Sequence, residues 1–109
     1  MIDLIEELNK KKRQLDASIS QLKINGSAFA EAEKKYKILL RQETLKLRDE
    51  GMAIGLIDKV IYGEPKIAEA RFQRDVAKVV YEANQEFINV TKLEMKLIES
   101  RINREWGSQ

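Results

Sequence analysis

Residues 65–106 read PKIAEARFQRDVAKVVYEANQEFINVTKLEMKLIESRINREW, and this stretch decides the fold of the chain. After Pro65 it contains no further proline and no glycine, so nothing in it breaks a helix. Its apolar residues recur every three or four positions, which is the spacing of one face of an α-helix. The stretch therefore predicts one long amphipathic helix, at about residues 66–105.

Two adjacent apolar stripes run along this predicted helix. The first contains Val76, Val80, Ala83, Phe87, Val90 and Leu97. The second contains Ala77, Tyr81, Ile88, Met95, Ile98 and Ile102. Together they are wider than the seam by which two helices pair, so one neighbouring helix cannot cover both. The excess predicts a homo-oligomer, either a dimer or a larger assembly.

The composition of the 109 residues fits long solvated helices in one small domain. Charged residues make up 35% of the chain, against about 25% in an average globular domain, and aromatic residues only 6%. The 20 basic and 18 acidic residues are interspersed and leave a net charge of +2. A dedicated nucleic-acid binder usually has a clearer basic excess or a basic face.

The sequence has neither cysteine nor histidine. This excludes disulfides, thiolate metal sites and the commonest general base of enzymes. It also has no glycine-rich phosphate loop and no nucleophile in a recognisable context. We therefore predict no enzyme activity, no catalytic residue, no cofactor and no bound metal. Without a secretory signal or an apolar run that could span a membrane, we expect a cytoplasmic protein with no membrane partner.

The chain before Pro65 predicts three further helices, at about residues 2–24, 28–50 and 54–62. Asn25 and Gly26 predict a turn between the first two, and Gly51 predicts the C-terminal cap of the second. The predicted fold is all-α: one domain, residues 1–109, built as an elongated, coiled-coil-like antiparallel hairpin or bundle with a short helical tip. The first helix is expected to pack along the distal half of the last helix or to reach another subunit.

The first helix carries a narrow heptad seam. Ile5 and Ile19 take the a positions, three leucines take the d positions, and Lys12 interrupts the seam at an a position. Such a narrow seam is typical of a coiled-coil edge. The residues predicted for self-association are Ile5, Leu8, Leu15, Ile19 and Leu22 of this helix and Ile88, Met95, Ile98, Ile102 and Trp106 of the last.

Two features offer a nucleic-acid interpretation. One is the basic run 10–13, although acidic residues four positions earlier favour an ordinary solvated helix face. The other is the stretch 47–63, whose glycine and apolar spacing resemble a helix-turn-helix but which offers few polar side chains for base contacts. The candidate contacts are Lys10, Lys11, Lys12, Arg13 and Lys59, and this interpretation is the less favoured one.

Short runs of the sequence resemble a known group of proteins. They are LRDEG at 47–51, Arg71-Phe72, Arg74-Asp75, YEA at 81–83 and EWG at 105–107. Over about residues 28–107 the chain resembles the small all-helical hypothetical proteins encoded by phages and prophages of Gram-positive bacteria. The resemblance implies a phage setting in the cytoplasm of a host cell, and it implies no active residues.

These observations lead to two hypotheses about function. The favoured one is a non-enzymatic phage or prophage accessory protein that binds a host or phage protein through its long amphipathic helices. The alternative is a DNA-binding or recombination accessory protein that uses the stretch 47–63 or the basic run 10–13.

Overall fold

The protein is all-helical, as the sequence predicts. The computed structural model of the chain describes residues 2–107, and within these residues there are helices and no strand. Helix α1 spans Ile2–Asp49, α2 spans Ile54–Val60, a 3-10 helix spans Ile61–Gly63, and α3 spans Pro65–Gly107. The predicted domain 1–109 also includes residues 1, 108 and 109, which lie outside the described residues.

The turn predicted at Asn25 and Gly26 is wrong, because α1 is a single helix of 48 residues. Among the described residues only Gly51 has a positive φ, so Gly26 keeps a right-handed backbone. Buried and half-buried positions continue through it in alternating steps of three and four, at Leu22, Asn25, Phe29, Ala32 and Tyr36. A glycine inside a helix costs about 1 kcal/mol. A packing stripe that continues on both sides outweighs that cost, so the predicted helices 2–24 and 28–50 are one.

The chain divides into two compact units. Unit 1 contains the residues up to Asn25 and those from Tyr81 onward, and unit 2 contains Gly26–Val80. The beginning of α1 and the C-terminal part of α3 thus belong to the same unit. Of the two arrangements that the sequence leaves open, the structure has the first helix packed within its own chain.

Unit 2 holds a small apolar core. Its buried residues are Tyr36, Ile57, Ile61, Ile67 and Ala70, and Leu39, Leu40, Leu47 and Met52 pack against them. The short helix predicted at 54–62 is present as α2 and the 3-10 helix, and each contributes one buried isoleucine. Pro65 then begins α3 at the position where its missing N–H leaves no helical hydrogen bond unmade.

Gly51 ends α1 with a Schellman motif. Its φ is 91°, its N–H donates to the carbonyl of Arg48 at 2.9 Å, and the N–H of Met52 donates to the carbonyl of Leu47 at 3.0 Å. These two bonds satisfy carbonyls that the helix end would otherwise leave without a partner. Leu47 and Met52 both pack against the core, which is the apolar contact that usually accompanies the motif. The predicted glycine cap is confirmed.

Substituting Gly51 with Ala should lower the free energy of unfolding by about 1 kcal/mol, because a Cβ atom is unfavourable at positive φ. Apart from Gly51 and its two chain neighbours, no heavy atom lies within 4 Å of the Cβ position, so the loss is one of backbone conformation and not of packing. Urea unfolding followed by circular dichroism measures it.

The matched control is Gly55→Ala. Gly55 lies in α2, has the same open space around its Cβ position and has no positive φ. Alanine there should raise stability by up to about 1 kcal/mol. Equal effects of the two substitutions would contradict the cap.

Candidate association surface

In unit 1 the two helices meet along a seam with heptad spacing, which we call the inner seam. On α3 its members are Tyr81, Asn84, Ile88, Thr91, Met95, Ile98 and Ile102, all buried or half-buried. On α1 they are Leu4, Leu8, Lys11, Leu15, Ser18, Leu22 and Asn25. The steps alternate between three and four residues on both helices, as in a coiled coil.

The heptad frame predicted for the first helix is half correct. Leu8, Leu15 and Leu22 are half-buried in the inner seam, as predicted. Ile5 and Ile19 are each 41% exposed and lie outside it. Leu4, Lys11 and Ser18, each one residue before a predicted a position, lie in the inner seam instead. Lys11 and Ser18 are polar, and both contact α3.

Asn84 forms the centre of a polar network in the inner seam. Its Nδ2 donates to the carbonyl of Ser18 at 3.1 Å, and its Oδ1 accepts from Nδ2 of Asn25 at 2.9 Å. The Oδ1 of Asn25 in turn accepts from Nε2 of Gln21 at 3.1 Å. Polar groups inside a helical seam fix the register of the helices, because other registers leave these groups without partners.

A second polar contact lies further along the seam. The ammonium group of Lys11 is 2.7 Å from a carboxylate oxygen of Glu94, with side-chain exposures of 23% and 41%. Lys11, a candidate for nucleic-acid contact, is therefore engaged within the chain.

A second face of α3 in unit 1 is apolar and has no cover. It comprises Ala83, Phe87, Val90, Leu93 and Leu97, and we call it the outer face. The last four are exposed by 47%, 43%, 58% and 59%. Ala83, Phe87, Val90 and Leu97 are members of the first stripe predicted from the sequence, so this stripe is the one that the chain leaves open.

The residues predicted for self-association on α3 lie mostly on the other face. Ile88 and Ile98 are buried, at 7% and 4% exposure, because they pack in the inner seam. Met95 and Ile102 are half-buried there. Only Trp106, at 58% exposure, presents a large apolar surface. Four of the five residues predicted for self-association on α3 thus pack within the chain, whereas Phe87, Val90, Leu93 and Leu97, which the sequence analysis did not select, are exposed.

Unit 2 has exposed apolar side chains of its own. On α3 they are Phe72, Val76, Val79 and Val80, and on α2 and the 3-10 helix they are Ile54, Leu56, Val60 and Tyr62. The exposed side of α2 is therefore largely apolar. This differs from a recognition helix, which presents polar side chains to base edges.

Arg74 is the best-anchored cation of unit 2. Its guanidinium lies 4.7 Å from the ring centroid of Tyr36, donates to Asp75 at 2.8 Å and approaches Glu33 at 4.0 Å. The hydrogen bond to Asp75 raises the pKa of Arg74 above its already high ordinary value, so the group stays charged. Arg71, four residues before Asp75, lies instead with its guanidinium 5.3 Å from the ring centroid of Tyr62.

The remaining candidate nucleic-acid contacts are exposed. Lys10, Lys12 and Arg13 point away from the inner seam of unit 1. Lys59 is exposed on α2, in unit 2. α2 has only seven residues, about two turns. Ile57 packs in the core as the helix-turn-helix interpretation requires, whereas Val60 is 43% exposed.

None of the helices formed by residues 2–107 has the length and apolarity needed to cross a membrane. In the same residues no group of three or more acidic side chains converges on one point. Comparisons with protein-family models, with curated proteins and with solved structures found no match to this chain.

Replacing Asn84 with Ala should lower the free energy of unfolding by about 1 kcal/mol, because it removes two hydrogen bonds and leaves a half-buried amide of Asn25 short of a partner. Chemical denaturation measures the change. Asn89→Ala, at an exposed position of the same helix, is the control and should be neutral or slightly stabilising. A loss of stability as large in the control as at Asn84 would contradict the role of the network.

Proposed function

We propose that this chain is a non-enzymatic accessory protein that acts by protein–protein association through its long amphipathic helices. The observation that carries the proposal is the outer face of α3, an apolar stripe in heptad spacing with no cover from the chain. Exposed apolar surface of this kind is typical of an interaction site when its members form a contiguous patch.

The offset between the two faces of α3 supports association with a further helix. Four of the five members of the outer face precede a member of the inner seam by one residue: Ala83, Phe87, Val90 and Leu97 come directly before Asn84, Ile88, Thr91 and Ile98. One residue corresponds to a rotation of about 100° around a helix of 3.6 residues per turn. A helix at the corner of a four-helix bundle has two neighbours at about that angle. α1 is one neighbour, and the other comes from outside the chain.

We further propose that α1 and α3 pair in antiparallel orientation, as in a helical hairpin. In unit 1 the contacts of α1 support this, because Lys11 pairs with Glu94 whereas Asn25, further along α1, pairs with Asn84. The partner number falls as the number on α1 rises. A hairpin of this kind would contribute two helices to a bundle, and two copies would complete it.

The biological setting follows from the resemblance described above. We propose a phage or prophage protein that works in the cytoplasm of the host, as a homo-oligomer that holds a host or phage protein. Such a protein would alter a host machine or assist phage DNA metabolism. The support for this setting is the resemblance of the short runs quoted in the sequence analysis.

In size-exclusion chromatography with light scattering, the chain should have at least twice the monomer mass at micromolar concentrations. The double variant Phe87→Glu/Val90→Glu should give the monomer mass, because charges would replace the apolar contact. Its helix content by circular dichroism should stay unchanged.

The control is Gln85→Glu/Asn103→Glu, which adds the same two charges at exposed positions of α3 outside the outer face. It should keep the mass of the unsubstituted protein. A chain that is monomeric throughout this concentration range would contradict self-association.

A second candidate function is binding to DNA, and the exposed side chains of Lys10, Lys12 and Arg13 favour it. Fluorescence anisotropy with duplex DNA at low salt tests it. If phosphates are bound, the affinity should fall steeply as salt rises, and the variant Lys10→Gln/Lys12→Gln/Arg13→Gln should lose it. Lys34→Gln/Lys35→Gln/Lys37→Gln removes three exposed cations elsewhere on α1 and serves as the control. No binding at low salt would exclude this function.

A further inference from the structure

We propose that Asn25 is a latent deamidation site, which the inner seam protects and whose reaction weakens that seam irreversibly. The proposal goes beyond the proposed function, because it concerns a chemical change within the chain and not a partner. Three observations carry it: the sequence Asn25-Gly26, the hydrogen bonds that hold the side-chain amide of Asn25, and the continuity of α1 through this pair.

The residue pair provides the chemistry. In deamidation the backbone nitrogen of Gly26 loses its proton and bonds to Cγ of Asn25, and the side-chain nitrogen leaves as ammonia. The five-membered imide then takes up water and opens to aspartate or isoaspartate, so that a carboxylate replaces the amide. Glycine hinders this attack least, because it has no Cβ atom. The other four asparagines of the chain precede Lys, Gln, Val or Arg, whose side chains obstruct it.

The folded chain withholds both reacting groups. Because α1 is one continuous helix, the N–H of Gly26 takes part in its hydrogen-bond ladder. The side-chain amide of Asn25 is held as well, since its Nδ2 donates to Asn84 at 2.9 Å and its Oδ1 accepts from Gln21 at 3.1 Å. The side chain must turn back onto the Gly26 nitrogen to react, so these bonds must break first. Local opening of the inner seam is therefore the step that permits the reaction.

The reaction removes a hydrogen-bond donor that the inner seam needs. Nδ2 of Asn25 supplies the proton that Oδ1 of Asn84 accepts. A carboxylate has no proton to donate, so two acceptors would face each other at a half-buried position. Turning the Asn84 amide over would satisfy the carboxylate but would take the donor away from the carbonyl of Ser18. In either arrangement one acceptor loses its partner, so a seam that has opened and reacted closes less well.

The rate of deamidation tests the protection. The chain is incubated at mildly alkaline pH, in buffer and in guanidinium chloride, and then digested briefly with trypsin. Cleavage after Lys23 and Lys34 gives a peptide in which Asn25 is the only side-chain amide, so a gain of one mass unit reports this site alone. The folded chain should react at least about tenfold more slowly than the unfolded chain, because the reaction requires opening. Gly26→Ala should react slowly even in guanidinium chloride.

Two variants distinguish opening of the inner seam from unfolding of the whole chain. Asn84→Ala removes the partner of Asn25 and should accelerate the reaction in buffer several-fold. Gly51→Ala is expected to cost a similar amount of stability but acts at the cap of α1 in unit 2, so it should leave the rate at Asn25 unchanged. Equal acceleration by both variants would overturn the role of the seam. Equal rates in buffer and in guanidinium chloride, or an Asn25 that stays intact in both, would overturn the proposal as a whole.

The variant Asn25→Asp tests the consequence, since it places the carboxylate of the product in the inner seam. It should unfold at a lower concentration of guanidinium chloride than the unsubstituted chain. Asn9→Asp makes the same change at an exposed position of the same helix, and it should not lower the midpoint. An Asn25→Asp variant as stable as the unsubstituted chain would show that the reaction does not weaken the seam.

Discussion

The hydrogen-bonded contact between Asn25, Asn84 and the carbonyl of Ser18 determines which side of α3 the chain covers. These groups have partners in one register of α1 against α3. A slip by one residue would expose the amides and would turn the outer face toward α1. Apolar residues alone would not prevent such a slip, since α3 is apolar on both sides. The polar network therefore gives specificity that the apolar contacts do not provide.

The outer face depends on this choice. Once Ile88, Thr91 and Ile98 are buried against α1, Phe87 and Leu97 remain 47% and 59% exposed. Lys11 adds a second polar contact between α1 and α3, through its ion pair with Glu94.

The sequence predicts the helical class, the long last helix, the short helix after Gly51 and the glycine cap, because each has a strong local signal. The prediction of a turn at Gly26 fails. The Asn-Gly pair favours a turn locally, but the packing of Asn25 and its neighbours against α3 keeps the helix continuous, and this packing is not recognisable from α1 alone. Of the two stripes of α3, the sequence also selects for self-association the one that packs against α1 in the structure. Both stripes are apolar, so apolarity does not show which one packs against α1. Polar residues such as Asn84 determine that choice.

One signal for the correct assignment was present in the sequence. Lys11, Ser18 and Asn25 recur every seven residues, and so do Asn84 and Thr91. Two helices with polar residues at the same heptad position can match them in one seam. Such matching is recognisable only when both helices are considered together. The outer face could not be derived from either helix alone, because it consists of the apolar residues of α3 that remain exposed once the inner seam has formed.

A glutamate scan of residues 86–98 tests whether one face of α3 packs against α1 while the outer face serves association between molecules. Each variant is measured twice: for unfolding free energy at a concentration where the chain is monomeric, and for mass at a concentration where it associates. The two quantities should vary periodically along the helix, with the two patterns displaced by one residue. Substitution of Ile88, Thr91 or Ile98 should lower stability, whereas substitution of Phe87, Val90 or Leu97 should reduce mass and leave the monomer stable. A scan in which the same positions control both quantities would contradict it.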